Sequence, residues 1–136
     1  MADASSPPIE IKLHKRSREL EIEFADGVRG RLSAEYLRVH SPSAEVKGHG
    51  GGEGVLVAGK KDVGIERIEP VGHYAVRLVF DDGHNTGLYT WPILYDLCRH
   101  HDANWRRYLE RLERAGKSRE RPAGGPARPR AAQEDE

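Results

Sequence analysis

Ile9, Ile11 and Leu13 alternate with Glu10, Lys12 and His14 near the start of the chain. After KRSRE the alternation resumes as Leu20, Ile22 and Phe24 against Glu19, Glu21 and Glu23. Period-two patterning predicts half-buried strands, and the short polar link predicts a hairpin. Asp26-Gly27 is a tight-turn signal leading to a third short strand carried by Val28, Gly30 and Leu32. Ser33 is placed to N-cap a short helix through about Val39, with Glu35 favourable in its first turn. The run SPSAEVKGHGGG from Ser41 to Gly52 then stops regular structure through Pro42 and its glycines.

Strands are expected again from about Val63 to Ile68, with Pro70 and Gly72 breaking the run. Tyr74, Val76, Leu78 and Phe80 alternate with Ala75, Arg77 and Val79, and Asp81-Asp82-Gly83 turns the chain into a last strand from Asn85 to Tyr89. Thr90 can cap a helix that tolerates Pro92 in its first turn, with Leu94, Leu97 and Cys98 on one apolar stripe. Asp102 is the expected cap of a second segment. There Trp105, Tyr108, Leu109 and Leu112 fall at i, i+3, i+4 and i+7 and are expected to bury. The predicted class is α+β: a mainly antiparallel sheet, a short helix after the third strand, and C-terminal helices packed on one face.

Composition sets the boundaries. The 136 residues fit one domain. From Gly116 onward the chain is rich in Pro, Gly and Arg and has no large apolar side chain, so 116–136 is expected to be a disordered tail. Residues 1–8 are expected to be flexible, leaving 9–115 as the folded domain. Lys plus Arg and Asp plus Glu number 22 each, and that balance argues against a general nucleic-acid binder. Cys98 is the only cysteine, which excludes an intramolecular disulfide and a zinc site built on several thiolates of one chain. No apolar run spans a bilayer or forms a signal peptide, so no membrane contact and a cytoplasmic location are expected.

No catalytic set converges in the sequence. GHGGGEG lacks the Lys-Ser/Thr of a phosphate loop and leads into an extended VLVAGK. His100-His101-Asp102 contains an H-x-D triplet, but no histidine follows it to complete a facial triad. Cys98 lies on an apolar helix stripe, where thiols are inert, and no GxSxG elbow is present. His40, His49 and His84, with Asp82, are weak candidates for a zinc or iron site.

The runs FADGVRGRLSAEYLRVHSPSAEV, IERIEPVGHYAVRLVFDDGH and TGLYTW together resemble the gamma-butyrobetaine-hydroxylase-like N-terminal domain family, long a domain of unknown function. The resemblance runs from about Pro8 to Leu112 and is that of a stand-alone bacterial-type member. In the carnitine-synthesis dioxygenases this domain precedes the catalytic barrel and carries a structural zinc on three cysteines and a histidine. In this chain His84 matches that histidine, but Ser41, Ser43 and Val46 stand where the zinc branch has cysteines. The resemblance therefore implies a zinc knuckle lost or never acquired, with no cofactor expected and zinc or iron as the alternative. Related domains are appended to P-loop iron–sulfur scaffold or carrier proteins. That context implies a non-catalytic interaction or regulatory module with a protein partner, linked to iron–sulfur assembly. The alternative is a metal-binding domain using His84 with His40 or His49. The expected partner surface comprises Leu37, Arg38, Ser41, Pro42, Ser43, Glu45 and His49, with Asp82 and His84 from the facing turn.

Overall fold

The computed structural model describes residues 6–43, 46 and 54–120. Strands β1 (Glu10–His14), β2 (Glu19–Glu23) and β3 (Arg29–Ser33) form an antiparallel meander. Its register sets Ile11 against Ile22, Leu13 against Leu20, and Leu20 in turn against Leu32. The predicted alternation is thus the observed one, and Leu20, Ile22 and Leu32 are buried while their neighbours meet solvent. Gly27 takes a φ of 92° in the β2–β3 turn, a left-handed conformation that favours glycine.

Helix α1 (Ala34–Val39) follows directly. Ser33 Oγ accepts the Tyr36 amide at 3.0 Å, which is the predicted N-cap. Strands β4 (Ile65–Val71), β5 (Ala75–Phe80) and β6 (Leu88–Thr90) make a second antiparallel sheet in that order. The expected α+β class with mainly antiparallel strands is the observed one, the strands forming two sheets of three among the described residues. Pro70 does not break β4 as expected; it sits within the strand opposite Val76. β4 borders only β5 in its sheet, and an edge strand tolerates a residue without an amide hydrogen. The last strand is also shorter than predicted, beginning at Leu88.

Helix α2 (Trp91–Arg99) starts at the predicted cap, with Thr90 Oγ1 accepting the Ile93 amide at 3.5 Å. Helix α3 (His101–Ala115) starts from His100 with no side-chain cap, so Asp102 lies in its first turn and is not the cap. One core joins both sheets to α1 and α2 through Leu20, Ile22, Leu32, Tyr36, Leu78, Phe80, Tyr89 and Leu94. A smaller cluster seats α3 through Val39, Tyr108 and Leu112, with Leu56 and Val57 packed on it. Leu109 departs from the expectation: it is 38% exposed, because the buried face of α3 runs through Tyr108 and Leu112.

The helix ends are closed by tyrosines. The last carbonyls of a helix have no partner within it. Tyr89 Oη donates to the Leu37 carbonyl of α1 at 2.6 Å, and Tyr36 Oη donates to the Leu97 carbonyl of α2 at 2.8 Å. Burial pushes the Tyr36 hydroxyl up to about 12 and raises that of Tyr89 further, so both remain protonated donors.

The chain also stays on the body beyond Gly116, where a disordered tail was expected. The Ser118 carbonyl accepts the Gly59 amide at 2.9 Å, and the Arg119 carbonyl accepts the Lys61 amide at 3.0 Å. Residues 116–120 are therefore tied to the body, with Arg119 half-buried and its neighbours exposed, because Arg119 has an acidic partner in the fold. The rest of the expected tail, 121–136, lies outside the described residues, as do 1–5 of the expected flexible start.

Candidate functional site

The end of α1 carries Leu37 and Arg38, the chain then runs through Ser41 to Ser43, and the β5–β6 turn brings Asp82, His84 and Thr86 against it. Ser41 Oγ lies 2.9 Å from His84 Nε2 and accepts the Ser43 amide at 3.2 Å. Ser43 Oγ lies 2.7 Å from Thr86 Oγ1. Ser41, Ser43 and His84 are all buried, as is Val46. Of the positions matching the zinc ligands of the dioxygenase branch, Ser41 meets His84, Ser43 meets Thr86 in the same turn, and the Val46 amide bonds the Ser43 carbonyl. They offer hydroxyls, an imidazole and an apolar side chain, which is not a zinc donor set. Gly87 makes the approach possible: a Cβ there would sit 2.5 Å from Ser41 Oγ.

Beside this cluster, Asp82 Oδ2 accepts Arg38 Nε at 2.8 Å and Lys60 Nζ at 2.6 Å. Asp82 Oδ1 accepts the His84 amide at 3.1 Å, which shapes the turn. The Asp82 side chain is 8% exposed and that of Arg38 12%. Burial alone would raise the Asp82 carboxyl. The bonds from Lys60 and the His84 amide and the charge of Arg38 outweigh it and hold the group below the usual aspartate range. Two cations on one carboxylate make it a structural anchor between α1, the 54–60 segment and the turn.

The expected partner surface is therefore largely interior. Leu37 is fully buried and gives its carbonyl to Tyr89. Ser41, Ser43, Asp82 and His84 face one another, Arg38 is committed to Asp82, and Pro42 is half-buried. Glu45 and His49 lie outside the described residues. Of the metal candidates, His40 keeps Nδ1 2.9 Å from the Tyr36 carbonyl, and His84 faces Ser41. Among the described residues no three His, Cys, Asp or Glu side chains are grouped to hold a metal ion. The Cys98 thiol is pushed up to about 11 by burial, away from the thiolate that nucleophilic or metal chemistry needs.

One cleft, of about 180 Å³, opens between the end of α1 and one face of α3, lined by Val39, His40, Ser41, Val46, Asn104, Arg107, Tyr108 and Arg111. Asn104, Arg107 and Arg111 fall on one helical face. Arg111 Nη2 donates to the Gly54 carbonyl and Arg107 Nη1 to Asn104 Oδ1, which sets their orientations. Burial lowers the affinity of His40 for a proton, and the charges of Arg107, Arg111 and His101 lower it further against the raising effect of the Tyr36 carbonyl. The cleft is thus basic through its arginines, with a neutral imidazole and the Tyr108 ring forming its wall. Sequence reasoning missed it because its residues come from segments some 60 positions apart, and only the i, i+3, i+7 spacing of Asn104, Arg107 and Arg111 hinted at it.

Among the described residues no helix is long and apolar enough to cross a membrane. No curated protein matches the chain. Several solved structures are similar to it. A solution NMR structure is 48% identical with a TM-score of 0.76, covering 88% of this chain and 94% of that one. Another NMR structure is 50% identical with a TM-score of 0.72, covering 95% and 98%. A crystal structure at 1.93 Å of a DUF971-family protein of unknown function from Acidithiobacillus ferrooxidans ATCC 23270 is 43% identical with a TM-score of 0.58, covering 71% and 97%. Residues 11–95 match the family described as gamma-butyrobetaine hydroxylase-like, N-terminal. With that match over more than half of the chain, and the 43% identity to a DUF971-family structure, the chain belongs to the gamma-butyrobetaine-hydroxylase-like N-terminal domain family.

Proposed function

We propose that this domain is a non-catalytic interaction module that keeps its fold without a metal and docks an acidic segment of a protein partner in the cleft between α1 and α3. The observation that carries the reading is the pairing of Arg107 and Arg111 on one concave face, while the groups with chemical potential are locked inside. Guanidinium groups recognise carboxylates through paired, charge-assisted hydrogen bonds, and a basic concave surface steers an acidic partner toward it. The occurrence of related domains on P-loop iron–sulfur scaffolds supports an iron–sulfur assembly protein as that partner. The test is a titration of the purified chain with a P-loop iron–sulfur scaffold, monitored by calorimetry at two salt concentrations. Binding that weakens with salt and drops about tenfold or more in Arg107→Glu/Arg111→Glu is expected. Binding unchanged by the charge reversal overturns the cleft, and no binding overturns the partner class. One equivalent of zinc in untagged protein, with unfolding in EDTA, would replace the reading with metal binding.

A further inference from the structure

Glu35 carries a deeply buried carboxylate, with 5% of its side chain exposed. Both of its oxygens are taken by one guanidinium: Arg119 Nε donates to Oε2 at 2.8 Å and Nη2 to Oε1 at 2.7 Å. The same guanidinium lies 5.3 Å from the centre of the Trp105 ring. Two parallel hydrogen bonds and an aromatic face make a site for a planar cation, which an ammonium cannot match.

The two halves of this contact are held unequally. Glu35 is fixed in α1 and Trp105 in α3, both packed on the core. Arg119 arrives on a segment past Gly116, which ends α3 in a left-handed conformation. That segment is held by the two backbone bonds to Gly59 and Lys61, by the exposed Lys61–Glu120 pair at 3.0 Å, and by Arg119 itself. The receptor is therefore part of the fold, and its occupant is a short extended peptide. The hollow around it is lined by Ser33, Glu35, Lys61, Val63, His101 and Trp105 together with Arg119.

We propose that Glu35, Trp105 and the 59–61 edge form a receptor for an extended peptide carrying arginine followed by an acidic residue. In this chain its own Arg119-Glu120 fills the receptor, and a partner's segment of the same chemistry takes it over in trans. Arginine supplies the fork for Glu35, the acidic residue meets Lys61, and the peptide backbone pairs with Gly59 and Lys61 as residues 118 and 119 do. This site lies apart from the cleft of Arg107 and Arg111 and does not depend on the function assigned to that cleft.

The test uses the full-length Arg119→Ala variant and a capped synthetic peptide, Lys-Ser-Arg-Glu-Arg, matching residues 117–121. Its control carries citrulline, neutral and nearly isosteric, at the position of Arg119. The variant is expected to bind the arginine peptide about tenfold or more tightly than the citrulline peptide. Wild-type chain should bind it about tenfold or more weakly than the variant, because the tethered Arg119 competes at a roughly millimolar effective concentration. Adding Glu35→Gln to the variant should abolish the preference for arginine. Equal binding of the two peptides, or none by the folded variant, overturns the proposal. If Arg119→Ala does not fold, the wild-type chain gives the answer by nuclear magnetic resonance. The Arg119 Nε–H signal, displaced by the Trp105 ring, should move to its free position under peptide at about ten times the effective concentration, and a signal that stays in place overturns the proposal.

Discussion

Replacing Gly87 by alanine tests how closely the two loops of the Ser41–His84 cluster approach. Gly87 is not at positive φ, so the substitution is decided by space alone. The new Cβ would lie 2.5 Å from Ser41 Oγ, 3.0 Å from Tyr89 Cε1 and 3.6 Å from Pro42 Cδ. Relief to an ordinary contact requires a shift of about 0.9 Å. Ser41 has nowhere to go: it is buried, bonded to the Ser43 amide, and 2.9 Å from His84 Nε2. Overpacking of this kind costs about 1–3 kcal/mol, and a broken buried hydrogen bond adds about 1 kcal/mol. Gly87→Ala should therefore cost about 2–4 kcal/mol. Ser41→Ala, which removes the Ser41 hydroxyl from the Ser43 amide and from His84, should cost about 1–3 kcal/mol. In the double variant the 2.5 Å clash is gone, so its cost should fall short of the sum by about 1–2 kcal/mol. Urea unfolding at constant m-value measures all three. Additivity within about 0.5 kcal/mol would show that the loops do not meet as described, and the reasoning would fail.

Two further perturbations probe α3 and the cleft. Leu112→Ala should cost about 2–5 kcal/mol and the half-exposed Leu109→Ala much less, about 1 kcal/mol or below, as read from chemical denaturation. His40 has a folded-state pKa below its ordinary 6.5, chiefly through burial, so the unfolded chain binds more protons between the two values. Its contribution is complete above about pH 6.5 and is lost as pH falls below that, so stability should decline from pH 7 toward 5 and His40→Gln should flatten the decline. A wild-type stability flat over that range, or one unchanged by the substitution, would count against it.

The parts of the fold written in local chemistry were legible. Ser33 and Thr90 announced their helices because a cap needs only one oxygen three residues ahead of an amide. The two Asp-Gly turns did so because Gly27 and Gly83, at φ of 92° and 93°, need no tertiary partner. What depended on distant partners was not legible. Ser41 and Ser43 read as exposed loop residues because serine is usually outside, yet His84 and Thr86, each 43 positions away, satisfy them within the interior. Arg119 read as part of a solvated tail because nothing near it in sequence shows that Glu35 waits 84 residues earlier. Leu109 matched the helical stripe as well as Leu112 did, and only the position of the neighbouring segments separates them. Likewise Pro70 is a strand breaker or an edge residue depending on which strand lies beside it, a property of the sheet and not of the residue.

The tyrosine hydroxyls that close the helix ends also bear on the order of assembly. The bond from Tyr36 to Leu97 spans 61 positions of sequence and that from Tyr89 to Leu37 spans 52. Neither can form until its two ends have docked, so the entropy of a long loop is spent before either bond gives anything back. They belong to the final consolidation of the fold and weigh little in its nucleus. Interactions of that sort leave the rate of folding nearly untouched and slow the rate of opening. The pair of hydroxyls is thus a brake on unfolding, holding each helix against the sheet-and-helix framework for longer than the equilibrium stability of a small domain alone would require.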